Sequence, residues 1–178
     1  MNTKNFEPEI LEDMMTNTGQ SLSQMSMDQP IMLVFLRHFG CSFCREALDE
    51  LSKKKEKYEA DGTKIVFVHM TENHFAKSFF DKYNIANPIH ISDPSCKYYA
   101  AFGLTKASPK QLLGFSSFIR GFQATLVEGH GMGGPLGDGF QMPGVFLLFE
   151  NEIKASFVHQ VPSDRPDYEE LRKCCVIA

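Results

Sequence analysis

A short apolar run, Ile31 to Leu36, bounded by Pro30 and Gly40, leads directly into a helical pattern from Phe43 to Ala60. This junction constrains the fold more than any other feature of the chain. A continuous apolar run of strand length fits a strand covered on both faces. In the segment that follows, Ala47, Leu48 and Leu51 recur at helical spacing, with Lys55 and Tyr58 further on, while Lys53, Lys54 and Lys57 can face water. Asp61-Gly62 closes the helix, and Lys64 to Met70 opens a second apolar run rich in Ile, Val and Phe. Strands joined through a helix run parallel, with a right-handed crossover.

The rest of the chain extends this alternation. Ile10 to Thr16 reads as a strand closed by the turn Asn17-Thr18-Gly19, with a short segment Ser21 to Met27 before Pro30. Asn73 to Tyr83 carries Phe75, Phe79 and Phe80 at helical spacing, and Ile89 to Ile91 is a short strand. Asp93 stands in a capping position, with Pro94 in the first turn of a helix through Phe102. Pro109 to Leu126 has a helical pattern interrupted by Gly114 and Gly121. Val145 to Phe149 and Lys154 to His159 flank Asn151-Glu152 as an antiparallel hairpin, and Asp167 to Val176 forms a last helix after Pro166. The expectation is an α/β chain with one domain spanning 1–178. A domain of that size buries about 68–70% of the surface its unfolded form exposes, so the cysteines are not needed as staples.

A net charge of −4 and a pI of about 5.9 lack the basic excess that phosphate neutralisation requires, so no nucleic-acid partner is expected. No apolar run approaches the ~20 residues of a membrane-spanning helix. The first residues, with Glu7, Glu9, Glu12 and Asp13, hold no apolar signal core, and a cytoplasmic, reducing setting is the expectation. In such a setting a close cysteine pair is catalytic or metal-binding rather than structural.

That pair is Cys41-Ser42-Phe43-Cys44, placed where the buried strand gives way to the helix. A helix N-terminus presents unpaired N–H groups and the positive end of a dipole, both of which favour thiolate over thiol. Two intervening residues allow the sulfurs to close a disulfide, so that one thiol attacks and the other releases the mixed disulfide. A tetrahedral zinc site would need a second pair, and Cys96, His130, Cys174 and Cys175 are scattered. Arg37 and Arg45 lie near enough in sequence to stabilise a thiolate, and His38 to accept a proton. Gly129 to Gly134 matches G-x-G-x-x-G without the strand and helix that a dinucleotide site requires, so Gly129 to Gly139 reads as a loop lining or covering the dithiol. Cys175-Val176-Ile177-Ala178 fits a prenylation box, but only Arg172 and Lys173 precede it as basic residues, and it reads as a helix end.

The stretch Val34 to Leu48, through Arg37-His38-Phe39-Gly40-Cys41-Ser42-Phe43-Cys44, resembles the active-site segment of peroxiredoxin-like 2 proteins. These belong to the alkyl hydroperoxide reductase and thiol-specific antioxidant group, with selenoprotein L as a relative. Thr16 to Leu22 is similar to the turn before that group's first buried strand. Ser92-Asp93-Pro94 with Tyr98, Ala101, Phe102 and Gly103 resembles its Asp-led helix, and Gly137 to Phe146 its loop into the hairpin; the likeness spans residues 10 to 160.

The resemblance implies a thioredoxin-like fold: a central mixed sheet with parallel N-terminal strands, a C-terminal antiparallel hairpin and helices on both faces. It implies a thiol-disulfide oxidoreductase or thiol peroxidase, a monomer or homodimer, that needs no cofactor or metal. Its substrate would be a peroxide or protein disulfide, and an external thiol of thioredoxin or glutathione type would reset it. Arg37 and Arg120 are the candidate cations, and Cys96, on the Asp93 helix, is weighed as a remote resolving thiol and set aside in favour of the Cys41–Cys44 pair. Pro143 is the implied cis-proline opposite the dithiol, leaving the Met142 backbone free to pair with substrate. The chain also departs from the pattern. Aligning the peroxiredoxin cysteine of Pro-x-x-x-Thr/Ser-x-x-Cys with Cys44 puts Arg37 at the proline and Cys41 at the hydroxyl residue, and Gly40 stands where thioredoxin has tryptophan. These departures favour Cys41 as the attacking thiol and Cys44 as the resolving one. The alternative is a redox-sensing or binding module whose disulfide switches the glycine loop without turnover.

Overall fold

The computed structural model describes residues 8–37, 39, 42–107, 138–161 and 164–173. Cys41, His38, the Pro109 to Leu126 segment with Arg120, the glycine loop up to Gly137, and Cys174 to Ala178 lie outside the described residues.

Five strands form one mixed sheet: β1 (Ile31–Phe35), β2 (Lys64–His69), β3 (Ile89–Ser92), β4 (Gly144–Phe149) and β5 (Glu152–Val158). Their order is β3-β2-β1-β4-β5, with β1, β2 and β3 parallel, β4 antiparallel to β1, and β5 antiparallel to β4. Helices α3 (Ser42–Ala60) and α4 (Asn73–Lys82) make the two parallel crossovers. The thioredoxin-like expectation therefore holds.

Strand alternation divides the core. Ile31, Leu33, Phe35, Val66, Val68, Phe146 and Leu148 face one cluster, completed by Leu11, Met14, Leu22, Met25 and Tyr99. Met32, Val34, Leu36, Ile65, Phe67, Val145 and Leu147 face the other, with Leu48, Leu51 and Tyr58 of α3 and Ala76 and Phe80 of α4. β1 is thus buried on both faces, as its unbroken apolar run requires. Each such Val, Leu, Ile or Phe contributes about 1.5–3 kcal/mol.

The expected strand over Ile10 to Thr16 is instead a helix, α1 (Pro8–Asp13), followed by a single bridge between Met15 and Ser21. Pro8 suits the first turn of a helix, and Leu11 and Met14 lie three residues apart, so both bury on one side. The turn at Asn17 to Gly19 is present, and the Asn17 side chain ties it to β3 by accepting from His90 N at 2.8 Å. The segment after it is a helix, α2 (Leu22–Asp28), opened by a capping box of Ser21 and Gln24.

Asp93 caps the next helix from further upstream than expected. Its carboxylate accepts from the backbone N–H groups of Lys97 at 2.9 Å and Tyr98 at 2.7 Å, so α5 runs Lys97–Ala101 and Pro94 stays in the preceding turn. The hairpin turns at Glu150 and Asn151, φ 54° and 59°, one residue before the expected pair. Paired left-handed residues give the twist that a tight hairpin needs. The last helix, α6 (Tyr168–Arg172), starts at an Asp167 cap. Arg172 holds it against α3 by stacking 4.1 Å over the Tyr58 ring and bonding Asp61 at 2.9 Å.

Candidate active site

Sheet register decides which residues can meet. Phe35 pairs with Gly144, and Gly144 pairs with Val158. The end of β1, the start of β4 and the end of β5 therefore share one edge of the sheet, and the first turn of α3 sits above it. This brings Arg37, Cys44, Pro143 and His159 around one cavity of about 50 Å³, which Asp164, Arg165 and Tyr168 also line.

Cys44, the third residue of α3, is 5% exposed. Its sulfur accepts the backbone N–H of Arg37 at 3.2 Å. Hydrogen bonds to the charged form favour ionisation, and the helix N-terminus adds its dipole. Arg37 thus serves Cys44 first through its main chain. Its buried guanidinium lines the same cavity and donates to the carbonyl of Gly139, joining the end of the glycine loop to the site.

Pro143 lines the cavity, and the Met142–Pro143 bond is trans, which corrects the cis expectation. Trans is the default even before proline. The Met142 backbone is also engaged: its N–H donates to Thr105 O at 3.2 Å, and its carbonyl accepts from Gln141 Nε2 at 3.4 Å. It is not free to pair with substrate. Cys96 packs against the cluster on the other face of the sheet and takes no part in lining the cavity. Burial, then the carboxylates of Asp93 and Asp138, push its thiol pKa up.

Two cavity residues were not singled out by sequence reasoning. His159 has a lowered pKa, from burial, against the opposing pull of the Asp164 charge and the backbone of Pro143 and Asp164. Tyr168 has a raised pKa, from burial first and then Glu50 and Cys44, so its hydroxyl stays protonated. The hairpin pattern held the signal for His159, because a strand antiparallel to β4 must end where β1 ends. At the rim Arg165 bonds Glu46 at 2.5 Å, and Asp164 accepts from Gln160 N and Val161 N at 2.6 and 2.9 Å. Among the described residues no group of three or more His, Cys, Asp or Glu side chains could hold a metal ion. No helix among them is long and apolar enough to cross a membrane.

A model of the Redoxin family matches residues 3–171. A chloroplastic thioredoxin-like protein of Arabidopsis thaliana is 22% identical over 161 residues, 86% of this chain, and the chain spans 65% of that relative's length. A prostamide/prostaglandin F synthase of Danio rerio is 27% identical over 175 residues, covering 92% of this chain and 83% of the relative. Among solved structures, a cysteine-to-serine mutant of PrxQ from Xylella fastidiosa superposes with a TM-score of 0.66 at 16% identity, covering 97% of this chain and 94% of its own. That likeness carries the fold, and the family match supports a thiol-based redox function.

Proposed function

This chain belongs to the Redoxin family, and from that premise we propose that it is a thiol-dependent oxidoreductase working through Cys41 and Cys44 as one domain. The observation that carries the reading is Cys44 itself: a buried sulfur at the start of α3, held by the Arg37 N–H and open to a cavity. The Cys41 thiolate attacks a disulfide sulfur and expels a thiolate, or attacks a peroxide oxygen and expels alkoxide or hydroxide, which takes up a proton. Cys44 then displaces the bound thiol, or water from a sulfenic acid, and closes the Cys41–Cys44 disulfide. An external dithiol, or two monothiols, of thioredoxin or glutathione type returns the two electrons in a reducing compartment such as the cytoplasm. Arg37 and Arg120 supply positive charge, and Pro143 forms part of the wall beside Cys44. None of these steps calls for a cofactor.

The cavity favours a second order of events. A small hydroperoxide fits a space that ends on Cys44, so Cys44 attacks first and Cys41 resolves. The name of the fish relative, a prostamide/prostaglandin F synthase, adds prostamide and prostaglandin compounds to the substrates worth assaying beside hydrogen peroxide. Turnover and trapped adducts in serine variants separate these readings. Cys44→Ser is expected to accumulate a mixed disulfide or sulfenic acid on Cys41, and either single variant to lose turnover by roughly two orders of magnitude or more. A sulfenic acid on Cys44 in Cys41→Ser would reverse the order. Equal turnover by the wild type and the double serine variant would leave only the non-turnover redox-sensing module.

A further inference from the structure

Tyr99 sits in the first turn of α5, where the Asp93 carboxylate fixes the backbone by accepting from Tyr98 N and, at 3.3 Å, from Tyr99 N. The ring is wholly buried and meets Phe35 edge-on, with centroids 4.9 Å apart. Apolar packing alone would be served by phenylalanine, and a buried hydroxyl costs stability unless it is bonded. This hydroxyl is bonded. It reaches the end of β1 and lies 2.5 Å from the Leu36 carbonyl and 3.1 Å from that of Val68. The Val68 carbonyl already accepts from Leu36 N at 2.9 Å, so among the described residues the Leu36 carbonyl is the nearer and less occupied acceptor.

The Leu36 carbonyl and the Arg37 N–H are the two ends of one peptide group. At its oxygen this peptide accepts from Tyr99, and at its nitrogen it donates to Cys44 Sγ at 3.2 Å. A bond accepted at the oxygen polarises the amide and makes its N–H a stronger donor, the cooperativity of hydrogen-bonded chains in a low-dielectric interior. We propose that Tyr99 is a positioning residue for Cys44, acting from the opposite face of the sheet through the Leu36–Arg37 peptide to strengthen the N–H that holds the thiolate. The inference rests on the reading of Cys44 as a redox thiol.

Burial, then the charges of Cys44, Cys96 and Asp93, drive the Tyr99 hydroxyl pKa well above its ordinary value, so it keeps its proton while Cys44 ionises and remains a donor. The other charged or titratable groups around the cavity are Arg37 at the end of β1, Glu46 and Glu50 on α3, His159 after β5, Asp164 and Arg165. Tyr168 of α6 completes the set. None of them is altered by a change at Tyr99.

The test follows alkylation of Cys44 against pH by mass spectrometry, in the full chain carrying Cys41→Ser. Tyr99→Phe removes only the hydroxyl and is expected to raise the apparent pKa of Cys44 by about 0.5–1 unit. Below the pKa, alkylation then slows roughly 3- to 10-fold. Site-specific 3-fluorotyrosine at position 99, a more acidic donor, is expected to move it the other way. Tyr98→Phe, on the same helix but bonded to Asp13, leaves Cys44 unchanged. A hydroxyl that merely staples β1 to β2 would not give opposite shifts. The proposal is overturned if both Tyr99 changes leave the pKa where it was, or move it in the same direction. Should Tyr99→Phe not fold, the fluorotyrosine protein decides alone. The readout needs no turnover, so a shifted Cys44 in the test protein, together with a wild-type chain that turns over neither peroxide nor disulfide, would count against the proposed function and not against the relay.

Discussion

Cys44 and His69 make an instructive pair. Both are buried, at 5% and 1% exposure, and both stand at the same end of the sheet, His69 closing β2 and Cys44 beside the end of β1. Each is held by a hydrogen bond, Cys44 to the Arg37 N–H and His69 Nε2 to His90 Nδ1 at 2.9 Å. The histidines, however, are packed among aromatics: Phe39 lies 5.5 Å from the His69 ring, and Phe80 lies 6.0 Å from His69 and 5.2 Å from His90. The cavity that ends on Cys44 is lined by neither histidine. Burial pushes the His69 pKa down to about 3, with His90 adding to the effect, yet the residue is only 1% exposed. A perturbed acid is therefore a poor guide to the site here, and access separates the two regions.

Breaking the aromatic seal tests that contrast most severely. Phe80 is wholly buried against Phe39, Phe67 and both histidines, so Phe80→Ala is expected to cost about 3–5 kcal/mol in urea unfolding. A loss below about 1 kcal/mol would mean that the cluster is not the packed core described. The next effect is a pH dependence. Above the ordinary histidine value of 6.5 the folded and unfolded chains are both neutral at His69 and stability is complete. As pH falls from 6.5 toward about 3, the unfolded chain binds a proton that the folded chain refuses. Stability then falls by about 1.4 kcal/mol per pH unit, or about 2 kcal/mol by pH 5, from His69 alone. His90, also lowered by burial, adds to this loss. Urea midpoints at pH 7.5 and pH 5 should separate in the wild type and separate less in His69→Phe/His90→Phe, where His159, whose pKa burial also lowers, still contributes. The same separation in both proteins would remove the histidines as its cause.

Much of this was legible before any coordinates, and what was missed has physical reasons. The runs at Ile31 and Lys64 and the helix between them required parallel strands, and the place of Cys44 at the start of that helix followed from their junction. Ile10 to Thr16 misled because Ile10, Leu11, Met14 and Met15 satisfy strand and helix spacings alike in so short a segment, and Pro8 decided for the helix. The isomer of Pro143 depends on tertiary bonds around Met142 that no local pattern encodes. Tyr99 and Tyr168 carry no local signal that sets them apart from other aromatics, and both are buried. Only the sheet register and the Asp93 cap reveal that one hydroxyl meets the peptide behind Cys44 and the other ring lines its cavity.

The smallest expected effect concerns the rim. Arg165 and Glu46 bond at 2.5 Å with side chains 69% and 52% exposed, so water and salt screen their attraction. A double-mutant cycle with Arg165→Gln and Glu46→Gln is expected to give a coupling of no more than about 0.5 kcal/mol in stability. Both residues nevertheless line the cavity of Cys44, where an unpaired unit charge in high dielectric still contributes about 0.5 kcal/mol to the approach of an anion. Losing Arg165 leaves the Glu46 carboxylate unpaired at the mouth, and losing Glu46 does the reverse. The ratio of Cys44 alkylation by anionic iodoacetate to that by neutral iodoacetamide should therefore fall about 2-fold in Arg165→Gln and rise about 2-fold in Glu46→Gln, with both changes fading in high salt. Equal ratios in all three proteins at low salt would place the pair outside the field of Cys44. The entrance would then owe its selectivity to shape, and the contrast with the sealed histidines would rest on access alone.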